Sequence, residues 1–590
     1  MKRRFMEWGL PLVFIGLFLW GLNARYPFIG EDYFYVFPRL LEGKWHFLRQ
    51  GFAPLRYAPH LCGGFPQYGN PQDHFYSLTQ FFSFFFSLWT ALQMSVVIIL
   101  LIGYAGWVRF GQDVLKLSRA WSHVLALVCI ANGFYFLHML VGHLWIISLP
   151  LLSWILWLMF VPARETVQTL CIRAILFGFI TAYILYSGSQ TLVLLTLMLL
   201  LALSPIDILL SERSPDRCIT LLRRFAAFGV SALFLCASKL AAVWSLLHTL
   251  NMKATFSGYH AGESIVLFVM KSFWAFPQSV GLYTPATAFI RIHEESMYTA
   301  HIALLGLLAL PFFFIHTRSH YSAKKIILAL YTFALVTFIL LLVRGTGTVP
   351  ETLQHFPLFS ALRVPERFLY LVSLLVSLAG VWGAAALASA VPKRIDERML
   401  CAGIGIVTIL GFAAAYVPLL RNEPLNISLP YDAILASEQR SGGYLSSPVT
   451  HAFEPEGQRV SDFHYLFSAS TGTQCYEAIP LALPKLRNGP VDMEYDGAFN
   501  IYNPSCLQYP EANGCKPKDR IRSGDRENFL RFIHGLPTTW KVSALQTWAD
   551  RLTLLALTLF PLALLWLCRA GILRSFTRLR TILKDVHSAK

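Results

Sequence analysis

Glu31 and Asp32 follow the first apolar run of this chain by only a few residues, and three aromatic residues, Tyr33, Phe34 and Tyr35, follow them. A carboxylate at such a membrane–water boundary is partly desolvated, which raises its basicity. It can accept a proton from a sugar or lipid hydroxyl, or hold a divalent metal ion. The same two residues can also begin a short helix over Tyr33–Leu41 as an acidic cap, and the two roles are compatible.

A second group carries positive charge. In the RVPER stretch, Arg363 and Arg367 are four apart and share a helical face if the turn is helical. Two guanidinium groups so placed can grip a phosphate in bidentate fashion, or snorkel onto lipid headgroups. Lys239 lies inside an apolar run, LFLCASKLAAVW. A cation there costs on the order of 2.5–3.5 kcal/mol and must face a partner or a wet cavity. It is expected either to meet a phosphate at a cavity floor or to fix helix packing in an ion pair. Further candidates on the same side are His143 after Gly142, Gln190 in the turn YSGSQ, Glu295 with its neighbours His293 and Glu294, and Arg344. Cys506 and Cys515 flank Pro510, Asn513 and Gly514 and are expected to form a disulfide in an oxidising compartment.

The elements that must position these residues are membrane helices. Of the 590 residues, 55% are hydrophobic and only 14% charged, against roughly 25% charged in an ordinary soluble domain. About twelve apolar runs approach the length a bilayer requires, at 7–23, 91–109, 120–139, 144–162, 168–186, 189–208, 225–246, 299–316, 326–343, 368–391, 399–419 and 551–568. The Phe-rich piece Phe75–Thr90 is too short to span and is expected to be re-entrant or interfacial. The formal net charge of +16 suggests nucleic acid at first sight, but the basic residues fall on alternate turns and in the tail. They fix the orientation with both termini cytoplasmic and meet anionic lipid. Counting Phe75–Thr90 as a span would place every later basic turn outside.

The expected architecture is therefore mainly α: a polytopic helix bundle over residues 1–419 with a first outer loop at 24–90, a small β-rich extracytoplasmic domain at 420–550, and a last helix with a basic tail at 551–590. A short helix is expected around Asp525–Ile533. The cytoplasmic turns are too short for a nucleotide-binding domain, and no Walker-type glycine loop occurs.

Several short motifs resemble the GT-C superfamily of multipass glycosyltransferases, and within it the bacterial YfhO-like membrane proteins. They are GED at Gly30–Asp32, CGGFPQYGNPQ at Cys62–Gln72, GH at Gly142–His143, SGSQ at Ser187–Gln190 and LRVPERFLYL at Leu362–Leu371. The resemblance implies a bacterial inner-membrane enzyme that moves a sugar from a polyprenyl-phosphate donor to a lipid, glycan or protein acceptor at the non-cytoplasmic face. It assigns Asp32, with Glu31 beside it, the role of base or metal ligand; Arg363, Arg367 and Lys239, read from their own positions, are then expected to stabilise the donor phosphate. Some members of the superfamily use a divalent ion such as Mg²⁺ or Mn²⁺; Glu294, Glu295 and Glu366 are the candidates for a second acidic ligand. The rival readings are a lipid or polysaccharide transporter, which would need polar residues through the whole membrane depth, and a non-catalytic scaffold that binds polyprenyl lipid.

Overall fold

The computed structural model describes residues 5–24, 26–27, 29–30, 32–162, 165–211, 213–250, 273, 294, 296–298, 301–307, 323–343, 348–353, 355, 364–390, 396–422, 448–453, 469–472, 488–491, 502–517 and 519–588. In chain order the helices are α1 (Leu10–Asn23), α2 (Tyr33–Gln50), α3 (Leu78–Phe82), α4 (Leu88–Asp113), α5 (Arg119–Ile130), α6 (Gly133–Val141), α7 (Leu152–Phe160), α8 (Val167–Tyr186), α9 (Gln190–Leu210) and α10 (Ser214–Leu250). They continue with α11 (Ala323–Val343), α12 (Thr348–Leu353), α13 (Leu369–Ala390), α14 (Glu397–Asn422), α15 (Pro504–Gln508), α16 (Arg526–Ile533) and α17 (Ala544–Ser588).

Eight helical segments among the described residues are long and apolar enough to cross a membrane. Three further expected spans fall on shorter apolar helices, Glu7–Asn23, Leu144–Phe160 and Leu330–Val343. Of the run at 299–316, only residues 301–307 are described, and they are helical. The protein is a multi-pass membrane protein. Along α17, Leu554, Leu555, Leu559, Leu562, Leu565 and Trp566 are exposed, the surface an acyl environment covers.

Local chemistry sets the helix boundaries. The side chains of Ser87, Ser118, Asn132 and Thr166 each accept a backbone N–H at the start of a helix. Asn132 divides the expected run at 120–139 into α5 and α6, and its amide also donates to Ser373 Oγ at 3.1 Å. Between α3 and α4 the chain turns at Ser83–Ser87, so Phe75–Thr90 forms a short helix and the start of the next one, and does not span.

Aromatic residues close the centre of the bundle. Phe14 and Phe18 of α1 meet Phe412 of α14 and Phe136 of α6 edge to face, and Phe136 in turn meets Phe412. Such pairs add about 0.5–1.5 kcal/mol each beyond burial. Elsewhere α10 packs along α8 and α17. Away from the long loop, buried Arg224 is held by Glu165 at 2.7 Å and by the carbonyls of Met159 and Val161, which offsets part of the cost of burying a cation.

In the region expected to be β-rich, His451–Phe453 (β1), Ser470–Gly472 (β2) and Gly489–Pro490 (β3) form one sheet in the order β2-β1-β3, with β1 parallel to β2 and antiparallel to β3. Cys506 and Cys515 form a disulfide with Cα atoms 6.0 Å apart. Cys62 is also disulfide-bonded. The last helix begins at Ala544, ahead of the expected 551, because Ser543 caps it and because Gln546 and Asp550, one turn apart, face inward to bond.

Candidate functional site

Two glycine motifs interlock and fix the position of Asp32. Gly30 lies so close to α6 that a Cβ there would stand 2.3 Å from the Leu140 carbonyl oxygen. Gly142 ends α6 in the left-handed region at φ +92, and a Cβ there would meet the Tyr33 nitrogen at 2.5 Å. The Asp32 amide donates to the Val141 carbonyl at 3.0 Å, and the Tyr33 hydroxyl donates to the Met139 carbonyl. The GED and GH motifs are thus the two halves of one backbone contact.

The contact brings two side chains together. Asp32 stands at the N-cap of α2, which runs on to Gln50, well past the expected Leu41. Its side chain makes no capping hydrogen bond; instead Oδ2 meets His143 Nε2 at 2.8 Å. The two side chains are 21% and 12% exposed respectively, so a ligand can reach them.

Behind this pair lies a second one that the sequence did not reveal. His138 is fully buried in α6, its ring 5.0 Å from that of His143. Its Nδ1 sits 2.9 Å from the Phe134 carbonyl oxygen and its Nε2 3.1 Å from Glu294 Oε2. Since a carbonyl only accepts, Nδ1 carries the proton. Glu294 is gripped by Arg367 through Nε and Nη2, with a shortest distance of 2.6 Å, and Arg367 stacks 4.5 Å over the Trp145 ring. Burial pushes the Glu294 carboxyl up, but the Arg367 guanidinium holds it well below the usual carboxylate range.

The other candidates fall elsewhere. Lys239 is buried and donates to the carbonyls of Tyr68 at 3.0 Å and Asn70 at 2.9 Å, with Asp73 Oδ2 at 3.7 Å. It therefore ties α10 to the CGGFPQYGNPQ loop. Gln190 caps the same loop: its amide, correctly oriented, donates to the Pro71 and Gly188 carbonyls. His74 Nδ1 donates to the Ser187 carbonyl at 2.6 Å, and burial lowers its imidazole to about 4. The loop is clamped from a further side by Arg56, which pairs with Asp550 of α17 at 2.6 Å, while Asp550 accepts from Ser238 and Gln546. Glu31, Glu295, Arg344 and Arg363 lie outside the described residues, and of Glu366 only the backbone is described.

One ligand atom from each of His138, His143 and Glu294 lies within 4.8 Å of the other two. Two imidazoles and a carboxylate suit a transition ion such as Zn²⁺ or Mn²⁺. They suit Mg²⁺ poorly, since it takes oxygen ligands and keeps several waters. Asp32, read from the sequence as base or metal ligand, is not among the three; it stands one step back, beside the His143 ring. Sequence reading missed His138 because a single histidine on an apolar helix usually belongs to the core; the available signal was its closeness to His143 around a helix-ending glycine.

No protein-family model and no curated protein matches the chain. Among solved structures, two cryo-EM structures of the arabinofuranosyltransferase AftD from Mycobacteria, one of them a mutant, are similar over 87% of this chain. The identity is 14% in both cases, with TM-scores of 0.43 and 0.41. The chain spans about a third of their length, 35% and 34%.

Proposed function

We propose that this protein is a GT-C-type membrane glycosyltransferase that moves a sugar from a polyprenyl-phosphate-linked donor to a hydroxyl of an envelope lipid, glycan or protein acceptor. The observation that supports this reading most is the partly exposed Asp32–His143 pair, with a guanidinium on the adjoining Glu294. In this reading Asp32 is the general base. His143 holds one carboxylate oxygen and so directs the other toward the acceptor. The acceptor oxygen forms a bond to the anomeric carbon as its proton passes to Asp32. The bond from that carbon to the phosphate oxygen breaks from the opposite face, with inversion, and its electron pair leaves with the polyprenyl phosphate. Release of the sugar–phosphate bond drives the transfer, so no nucleotide is needed.

Arg367, and Arg363 with it, are proposed to stabilise the phosphate as charge grows on it. Lys239 belongs to the same proposal only indirectly, through the loop it holds. The transition ion would be held by His138, His143 and Glu294, where it supplies positive charge beside the leaving phosphate. We place the site on the non-cytoplasmic face of a bacterial inner membrane with both termini cytoplasmic, following the distribution of basic turns. The test is incubation of the purified protein with a panel of radiolabelled polyprenyl-phosphate hexoses and pentoses. Label appearing on acceptor supports transfer. Label crossing a vesicle without transfer supports a transporter, and binding alone supports a scaffold.

A further inference from the structure

We infer that His138, His143 and Glu294 form a binding site for one divalent transition ion, with zinc the best match, and that Asp32 is its outer partner through His143. The claim about the ion stands on the geometry of these residues; its purpose deepens the transferase reading above and rests on that reading.

His138 is arranged as a metal-ligating histidine characteristically is. Such a histidine gives its other ring N–H to a carboxylate or a backbone carbonyl, which fixes the tautomer and turns the remaining lone pair toward the ion. His138 gives Nδ1–H to the Phe134 carbonyl, so Nε2 presents a lone pair. That lone pair faces Glu294 Oε2 at 3.1 Å. A neutral imidazole nitrogen and a carboxylate oxygen repel at this distance unless a proton or a cation serves both. Two ligands about 2.1 Å from one ion stand about 3.0 Å apart at a right angle and about 3.4 Å apart at the tetrahedral angle, so this spacing fits neighbours in a five-coordinate shell and needs only a slight opening for a tetrahedral one. His143 Nε2 lies 2.8 Å from Asp32 Oδ2, so a carboxylate stands at one of its ring nitrogens. His138 thus already has the backbone-carbonyl partner of a metal-ligating histidine, and the His143 ring stands beside a carboxylate. Two histidines and one glutamate also make up a recurrent catalytic zinc set that keeps a fourth position open.

The charge balance points the same way. With neutral imidazoles, the charges of Asp32, Glu294 and Arg367 among the described residues have a formal sum of −1 − 1 + 1 = −1. A divalent ion turns that sum to +1, and a phosphate-linked donor then meets attraction. The ion also gives buried His138 a role that ordinary packing does not require.

The test uses the full-length protein, purified in detergent and dialysed against a chelator. Cobalt(II) is added, bound metal is counted by mass spectrometry and the visible spectrum is recorded. One cobalt per chain, with the intense ligand-field bands of a four- or five-coordinate site, is expected. His143→Gln should weaken binding about 100-fold or more, and Glu294→Gln the same. Asp32→Asn should retain the bands while weakening binding about 10–100-fold. Because Glu294→Gln also unpairs Arg367, His143→Gln, at the more exposed ligand, is the deciding variant, with its fold checked by size-exclusion chromatography. The inference is overturned if the wild-type protein binds no more cobalt than His143→Gln, or if its spectrum is that of the hydrated ion. Metal content is read independently of transfer, so cobalt binding without sugar transfer sinks the transferase reading alone. Transfer by a metal-free protein sinks the catalytic purpose given to the ion, and a failure to bind cobalt sinks the site itself.

Discussion

Asp32 Oδ2 and His143 Nε2 stand 2.8 Å apart, held there by a backbone contact in which Gly142 has no room for a side chain. The pair joins the start of α2 to the end of α6. If Asp32 is the base, Asp32→Asn should lower transfer by about 10²–10⁴-fold with membrane insertion unchanged. Near-normal turnover in that variant would remove Asp32 from the chemistry.

Gly142→Ala tests the scaffold beneath the pair. The added Cβ would lie 2.5 Å from the Tyr33 nitrogen and must adopt φ +92. A destabilisation of about 1–3 kcal/mol is expected, read as a lower melting temperature in detergent, and activity should fall further than the loss of folded protein explains. A variant with unchanged melting and full transfer would show that the two motifs do not depend on each other.

Lys239 separates a packing role from a phosphate role. Lys239→Met leaves Asp73 buried beside an uncharged side chain and should cost about 3–5 kcal/mol. Adding Asp73→Asn should recover much of that stability. If Lys239 only tethers the loop, the double variant also recovers transfer. A stable but inactive double variant would instead mark Lys239 as a direct partner of the donor.

These three sites show how far the sequence was legible. Hydropathy exposed most of the spans, since membrane helices must be apolar for their whole length, but it could not foresee the cap at Asn132 that divides one run in two. Lys239 announced that it needed a partner; Asp73 did not, because a carboxylate in a Gly/Pro-rich loop is ordinary until the loop folds back onto α10. Asp32 and His143 were each visible beside a glycine. Their pairing was not, because it depends on tertiary approach between distant segments. His138 and its hold on Glu294 left no local trace of either periodicity or composition.

His74 predicts a pH dependence. Burial lowers its imidazole from 6.5 to about 4, so the unfolded chain binds more protons than the folded one between those values. Stability from this group is therefore complete above pH 6.5 and is lost as pH falls toward 4, with a slope of up to about 1.4 kcal/mol per pH unit. His74→Gln should flatten that limb of a melting-temperature profile recorded in detergent. An unchanged slope would mean that the Ser187 contact opens before the ring charges.

The ion pair of Arg56 with Asp550 sets an order of events during synthesis. Arg56 leaves the ribosome early, whereas Asp550 opens the final hydrophobic passage, after almost every other helix has been inserted. Closing so long a loop is among the slowest steps a chain can take. The segment that Lys239 and Gln190 also hold must therefore wait, incompletely latched, until α17 arrives. A nascent chain stalled before α17 would carry all the groups of the site and lack the clasp that fixes the loop beside them.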